Sequence, residues 1–163
     1  MPYFTTQDHC RLYYTLTEPS PRAPAVIFLN GLAQTTTYWH SQTRFFAEDY
    51  RVLRYDGRAQ GRSDIGGEPL TEDRHVADLR TLCDHLGIES ANLVGLSHGA
   101  YIAAAFAVRH PERMARLVVC NLRAGPLWGF GYRKSVAPEA YRGRPGRLCP
   151  GRHPGRYRAH VSI

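Results

Sequence analysis

Apolar residues recur along the first 120 positions with two alternating periods, about two and about three and a half residues. Tyr3 to Thr6 and Arg11 to Thr17 run as short β segments around Gln7, Asp8 and His9, the signature of an opening hairpin. Ala25 to Leu29 is a continuous apolar run of buried-strand type. Thr36 to Tyr50 spaces Trp39, Phe45 and Phe46 in a loosely helical way, and Arg51 to Tyr55 is strand-like again. The clearest helix is Thr71 to Leu86. Thr71 can cap it, Glu72 and Asp73 suit its positive end, Val76, Leu79, Leu82, Cys83 and Leu86 form one stripe, and Gly87 can end it. Asn92 to Leu96 then reads as a strand, His98 to His110 as a helix of small residues, and Leu117 to Cys120 as a further strand. Strands alternating with helices predict parallel strands joined by right-handed crossovers, an open α/β sheet with helices on both faces. From about Ala124 onward Gly125, Pro126, Gly129, Gly131 and Pro138 interrupt every period.

Length and composition narrow this to a single globular unit. The chain has 163 residues, 43% hydrophobic and 21% charged, enough for one core and not for two. Its longest apolar stretch, Ala100 to Val108, is half of the roughly 18 residues that a spanning helix needs. Met1 to Cys10 has neither a basic start nor an apolar run, so no secretory signal is expected and the cytoplasm is the expected location. The net charge of +7 suggests a nucleic-acid binder until its position is examined. Residues 1–140 hold 15 basic and 14 acidic side chains, whereas residues 141–163 hold six Arg and no acid. The excess therefore sits in an Arg/Gly/Pro tail, 124–163, expected to be irregular and to bind nucleic acid at most weakly and without sequence preference. Cys10, Cys83, Cys120 and Cys149 lack any Cys-x-x-Cys pairing and are expected as buried, unreactive thiols, with no metal site.

Gly95-Leu96-Ser97-His98-Gly99 carries the chemistry. It is a G-x-S-x-G between an apolar strand and a small-residue helix. A serine on a strained strand-to-helix turn needs glycine two residues to either side, and it then projects Oγ from the carboxyl edge of the sheet. The backbone N–H of His98, at the helix start, points where a tetrahedral oxyanion would form. The His98 ring directly follows the serine and is not expected to fold back to Oγ. His40, His75, His85 and His110 are expected as solvated or hydrogen-bonded side chains, and Asp56 with Arg58 as a turn-stabilising pair.

With these segments the sequence resembles the α/β-hydrolase family over roughly residues 14–122. Asn30-Gly31-Leu32 is similar to the family's oxyanion loop, with asparagine in place of the usual histidine. Asp56-Gly57-Arg58-Ala59-Gln60-Gly61-Arg62-Ser63 resembles its D-x-R-G-x-G-x-S turn, with Ala59 in place of a glycine. Arg109-His110-Pro111-Glu112-Arg113 followed by Leu117-Val118-Val119 is similar to its common helix exit and next strand. The resemblance implies a partial α/β-hydrolase domain over 1–123 whose carboxyl-terminal strands are missing. It also implies Ser97 as nucleophile and Leu32 N–H as second oxyanion donor beside His98, with no cofactor.

In this family the acid and then the histidine follow the serine. Here the order leaves Glu139 as the acid and His153 or His160 as the base, with no predicted strand to hold any of them. The abrupt change to Arg, Gly and Pro suggests a frameshift or truncation between Ala124 and Tyr141. The expected function is a serine hydrolase of a small carboxylic ester or lactone, working through an acyl-serine and represented by its amino-terminal half. The alternatives are a carbon–carbon bond hydrolase of the same family and a catalytically inactive fragment. The expected partner is a small-molecule substrate, with no specific nucleic acid and no membrane. Self-association is expected through an exposed sheet edge at Leu117 to Cys120.

Overall fold

The computed structural model describes residues 3–67 and 69–122 and the backbone of residues 160–161. Strands β1 (Tyr3–Thr5) and β2 (Arg11–Thr17) form the antiparallel hairpin. Strand β3 (Ala25–Leu29) is buried at every position, which is why it reads as an unbroken apolar run rather than an alternation. A 3-10 turn at Thr36–Trp39 leads into helix α1 (His40–Phe46), and strand β4 (Arg51–Tyr55) follows. Helix α2 (Glu72–His85) starts where Thr71 Oγ1 accepts the Arg74 N–H at 3.2 Å. Strand β5 (Ala91–Leu96) precedes helix α3 (His98–Arg109), and strand β6 (Met114–Cys120) completes the described core. β6 starts three residues earlier than its apolar signal because Ala115 and Arg116 are exposed.

The sheet order is β1-β2-β4-β3-β5-β6, extended by the two-residue strand β7 (His160–Val161). β4, β3, β5 and β6 run parallel, and β2 lies antiparallel to β4. The crossover from β3 to β4 runs in one direction along the sheet, and those from β4 to β5 and from β5 to β6 run in the other. Right-handed crossovers therefore put α1 on one face and α2 with α3 on the opposite face. The packing follows: Val26, Phe28 and Val52 meet Trp39 on the α1 face, while Ile27, Leu29, Leu53 and Leu93 meet Leu79, Leu82 and Phe106 on the other. The reversal of strand order lies between β3 and β5, so the loops after these two strands open onto a shared crevice at the carboxyl edge.

Three sequence expectations are corrected. Residues 160–161 pair antiparallel with β6, His160 beside Val118 and Val161 beside Leu117, so the tail is not irregular throughout and the β6 edge is not bare along its whole length. Ladder pairing uses backbone groups and leaves no apolar signature in so short a stretch. Cys120 is exposed, whereas Cys10 and Cys83 are buried. His75 is buried and its Nδ1 has no hydrogen-bond partner, contrary to the expectation of a solvated or bonded ring. The rest of the tail, Cys149 and the expected disruption between Ala124 and Tyr141 lie outside the described residues. Among the described residues no helix is long and apolar enough to cross a membrane.

Candidate functional site

β5 ends at Leu96 and α3 starts at His98, leaving Ser97 alone at the turn with φ 51° and ψ −114°. A residue with a Cβ adopts this region only when its surroundings force it, and such strain collects at functional sites. Two glycines supply the force. A Cβ at Gly95 would lie 2.6 Å from Ala100 Cα, and one at Gly99 would lie 2.7 Å from Asn30 O. The turn can therefore be this tight only because both positions lack side chains, the physical content of the G-x-S-x-G spacing. Ser97 N–H donates to Cys120 O at 2.9 Å and Ser97 O accepts from Ala100 N–H at 2.9 Å, which tie the turn to β6 and to α3. His98 is the first helical residue, so its N–H has no carbonyl one turn earlier to bond.

The loop after β3 lies against this turn. A Cβ at Gly31 would come 3.4 Å from Leu96 O, and Gly99 abuts Leu29 and Asn30, so Leu32 shares the edge that carries Ser97. Asn30 is buried. Its Nδ2 donates to Tyr55 O at 3.0 Å, and its Oδ1 accepts from Trp39 Nε1 at 2.8 Å. Gln34 Oε1 accepts from Gly31 N–H at 2.8 Å. Leu32 itself is exposed.

Ser97, Leu32 and His98 are thus brought together at the carboxyl edge. Glu139 and His153 lie outside the described residues, and of His160 only the backbone is placed, in β7. The His98 ring turns away into the interior, packed edge to face on His75 with ring centres 5.1 Å apart. The two imidazoles border a small, partly open pocket of about 10 Å³, shared with Asn30, Gln60 and Ile102. Both Nδ1 atoms are buried without a partner. Burial pushes the His75 pKa down to about 4, assisted by His98 and Arg58, and burial also lowers that of His98.

Asp56 and Arg58 do not pair with each other as the sequence suggested. The Asp56 carboxylate accepts backbone N–H groups of Thr36 at 2.7 Å and Arg62 at 3.1 Å, so it organises the start of the 3-10 turn and its own loop. Arg58 has its side chain fully buried. It holds Asp8 with two bonds of 2.6 Å and Asp78 with bonds of 2.6 and 2.9 Å. These bonds hold Asp8 well below the usual carboxylate range, while burial pushes Asp78 up against the pull of the same arginine. Ala59, where the resembling motif has glycine, stands at φ 59° in the left-handed region. His75, Gln34 and Trp39 escape a sequence reading, because their partners are set by the loops and no residue spacing marks them. Among the described residues no group of three His, Cys, Asp or Glu side chains is placed to hold a metal ion.

A sequence profile of the alpha/beta hydrolase fold matches residues 24–136. 3-oxoadipate enol-lactonase 2 of Acinetobacter baylyi is 33% identical over 120 residues, covering 74% of this chain and 44% of the lactonase. Epoxide hydrolase 4 of Mus musculus is 34% identical over 100 residues, 60% of this chain and 28% of that protein. Among solved structures, the enol-lactonase from Burkholderia xenovorans LB400 superposes with a TM-score of 0.68 at 32% identity, covering 71% of this chain and 45% of its own. The chain thus spans less than half the length of each of these proteins.

Proposed function

The chain belongs to the α/β-hydrolase family, and from that premise we propose that it hydrolyses a small carboxylic ester or lactone through an acyl-serine on Ser97. The Ser97 Oγ attacks the carbonyl carbon as a base takes its proton. The resulting oxyanion sits between the N–H groups of Leu32 and His98, where donors already in place are worth most. Collapse expels the alcohol oxygen, which takes up the proton. Water then adds to the acyl-serine, and the carboxylic acid leaves. With a lactone the expelled oxygen stays on the acyl group and the ring opens. The acid and base follow the order of the chain, Glu139 with His153 or His160.

The observation that carries this reading is the conformation of Ser97, at φ 51° between two glycines that have no room for a side chain, beside the loop of Leu32. An ester or lactone is favoured as substrate by the enol-lactonases among the similar proteins. The test is covalent labelling of the full chain with a fluorophosphonate, followed by peptide mass mapping. Labelling is expected at Ser97 and absent in Ser97→Ala. Labelling of the parent no greater than that of Ser97→Ala would overturn the reading and leave a catalytically inactive fold.

A further inference from the structure

We propose that Gln34 is a positioning residue for the oxyanion loop: its side-chain amide oxygen fixes Gly31 and thereby aims the Leu32 N–H at the Ser97 edge. The inference rests on the reading of Ser97 and Leu32 given above. The loop between β3 and the 3-10 turn contains Ala33 at φ 59°, a left-handed conformation that a residue with a Cβ holds only under constraint. That constraint comes from both ends of Gly31. Gly31 N–H donates to Gln34 Oε1 at 2.8 Å, and Gly31 O accepts from Gln34 N–H at 3.3 Å. One residue thus occupies both backbone polar groups of Gly31 and closes a tight ring around Leu32 and Ala33.

The approach is close, since a Cβ on Gly31 would lie 2.9 Å from Gln34 Oε1. On the other side Asn30 is clamped by Trp39 and Tyr55. With Asn30 and Gly31 held, the Leu32 peptide is anchored at its preceding residues. An N–H donor stabilises a developing oxyanion only if it need not reorganise when the charge appears, so the anchor of the loop is part of what makes the donor useful. The sequence offers no sign of this, because a glutamine three residues after a glycine is unremarkable until the loop closes.

The side chain acts as an acceptor, and this separates two nearly isosteric replacements. Gln34→Glu keeps an oxygen at the Gly31 N–H, whereas Gln34→Met fills the same space without one. The measurements are amide hydrogen exchange at Gly31 in the full chain, resolved by NMR, and the rate of fluorophosphonate labelling at Ser97. In Gln34→Met the Gly31 amide, which loses its bond, is expected to exchange at least about tenfold faster. Labelling is expected to slow by about tenfold or more, in the limiting rate and not in the concentration dependence. Deleting a donor outright costs about a hundredfold to a thousandfold, so loosening one costs less. In Gln34→Glu the exchange should match the parent, and amides of β5 and α3 should be unchanged in both variants. Parent-like exchange at Gly31 in Gln34→Met would overturn the proposal, as would parent-like labelling of Ser97 in that variant or Gln34→Glu loosening the loop as much as Gln34→Met. A parent that never labels while Gln34→Met loosens the loop refutes the role of Ser97 and leaves the anchoring by Gln34 standing.

Discussion

Gly99 has no room for a methyl group. A Cβ there would press into the Leu29 carbonyl and lie 2.7 Å from Asn30 O, and both neighbours are backbone that cannot rotate away. Gly99→Ala must therefore push α3 off the end of β3, and a cost of about 2–4 kcal/mol is expected from overpacking at so rigid a spot. Gly67 meets nothing within 4 Å, so Gly67→Ala is the matched control and should stay within about 0.5 kcal/mol of the parent. Urea unfolding of the two variants checks this, and equal midpoints would remove the steric account of the motif. At this scale the glycine-flanked serine is legible in the sequence because the chemistry forces a spacing of two residues. Asp56 is not legible in the same way. Its shortest bonds come from the backbone N–H groups of Thr36 and Arg62, which no side-chain pattern betrays.

Between elements the strongest tie is Arg58. Its guanidinium lies in the loop after β4 and joins Asp8, in the turn of the opening hairpin, to Asp78 on α2. Replacing it with methionine keeps the aliphatic length and removes the cation that bridges the two carboxylates. Removing one member of a buried ionic cluster costs about 3–5 kcal/mol, chiefly because the remaining charges lose their compensation. Arg58→Met should lower the urea midpoint accordingly with an unchanged slope, and a loss under about 1 kcal/mol would mean that the hairpin docks without it. The elements themselves are legible: β3, β4 and α2 announce themselves by apolar runs or a helical stripe with a capping threonine. What joins them is not, since Asp8 and Asp78 are separated from Arg58 by 50 and 20 residues and each alone reads as an ordinary surface acid. The same limit hides β7, where two residues pair through backbone alone.

For the whole molecule, the order of strands brings the two carboxyl-edge loops together, and with that order right-handed crossovers set which face each helix covers. Parallel pairing with helices on both faces is readable from the sequence, without the strand order that places α1 opposite α2. The interior left by that packing is not, and it sets how stability depends on pH. His75 on α2 is buried against His98 of α3, with Arg58 as the nearby fixed cation, and its pKa falls from 6.5 to about 4. Because the folded value lies below the unfolded one, the unfolded chain takes up the proton first as pH falls. Stability due to this group is therefore full above about pH 6.5 and is lost progressively towards pH 4. Between pH 7.5 and 5.0 the expected loss is about 2 kcal/mol. His98 adds to it in the same direction, and Glu72, raised by burial, opposes it near its ordinary value. Asp8 and Asp64, both lowered by arginine partners from 3.8, contribute their losses only at more acid pH. His75→Leu removes one titration and leaves the others in place. Urea unfolding at the two pH values should then show a clear fall for the parent and a much smaller one for the variant. Equal falls in the two proteins would mean that His75 titrates normally and that water reaches the cavity it shares with His98.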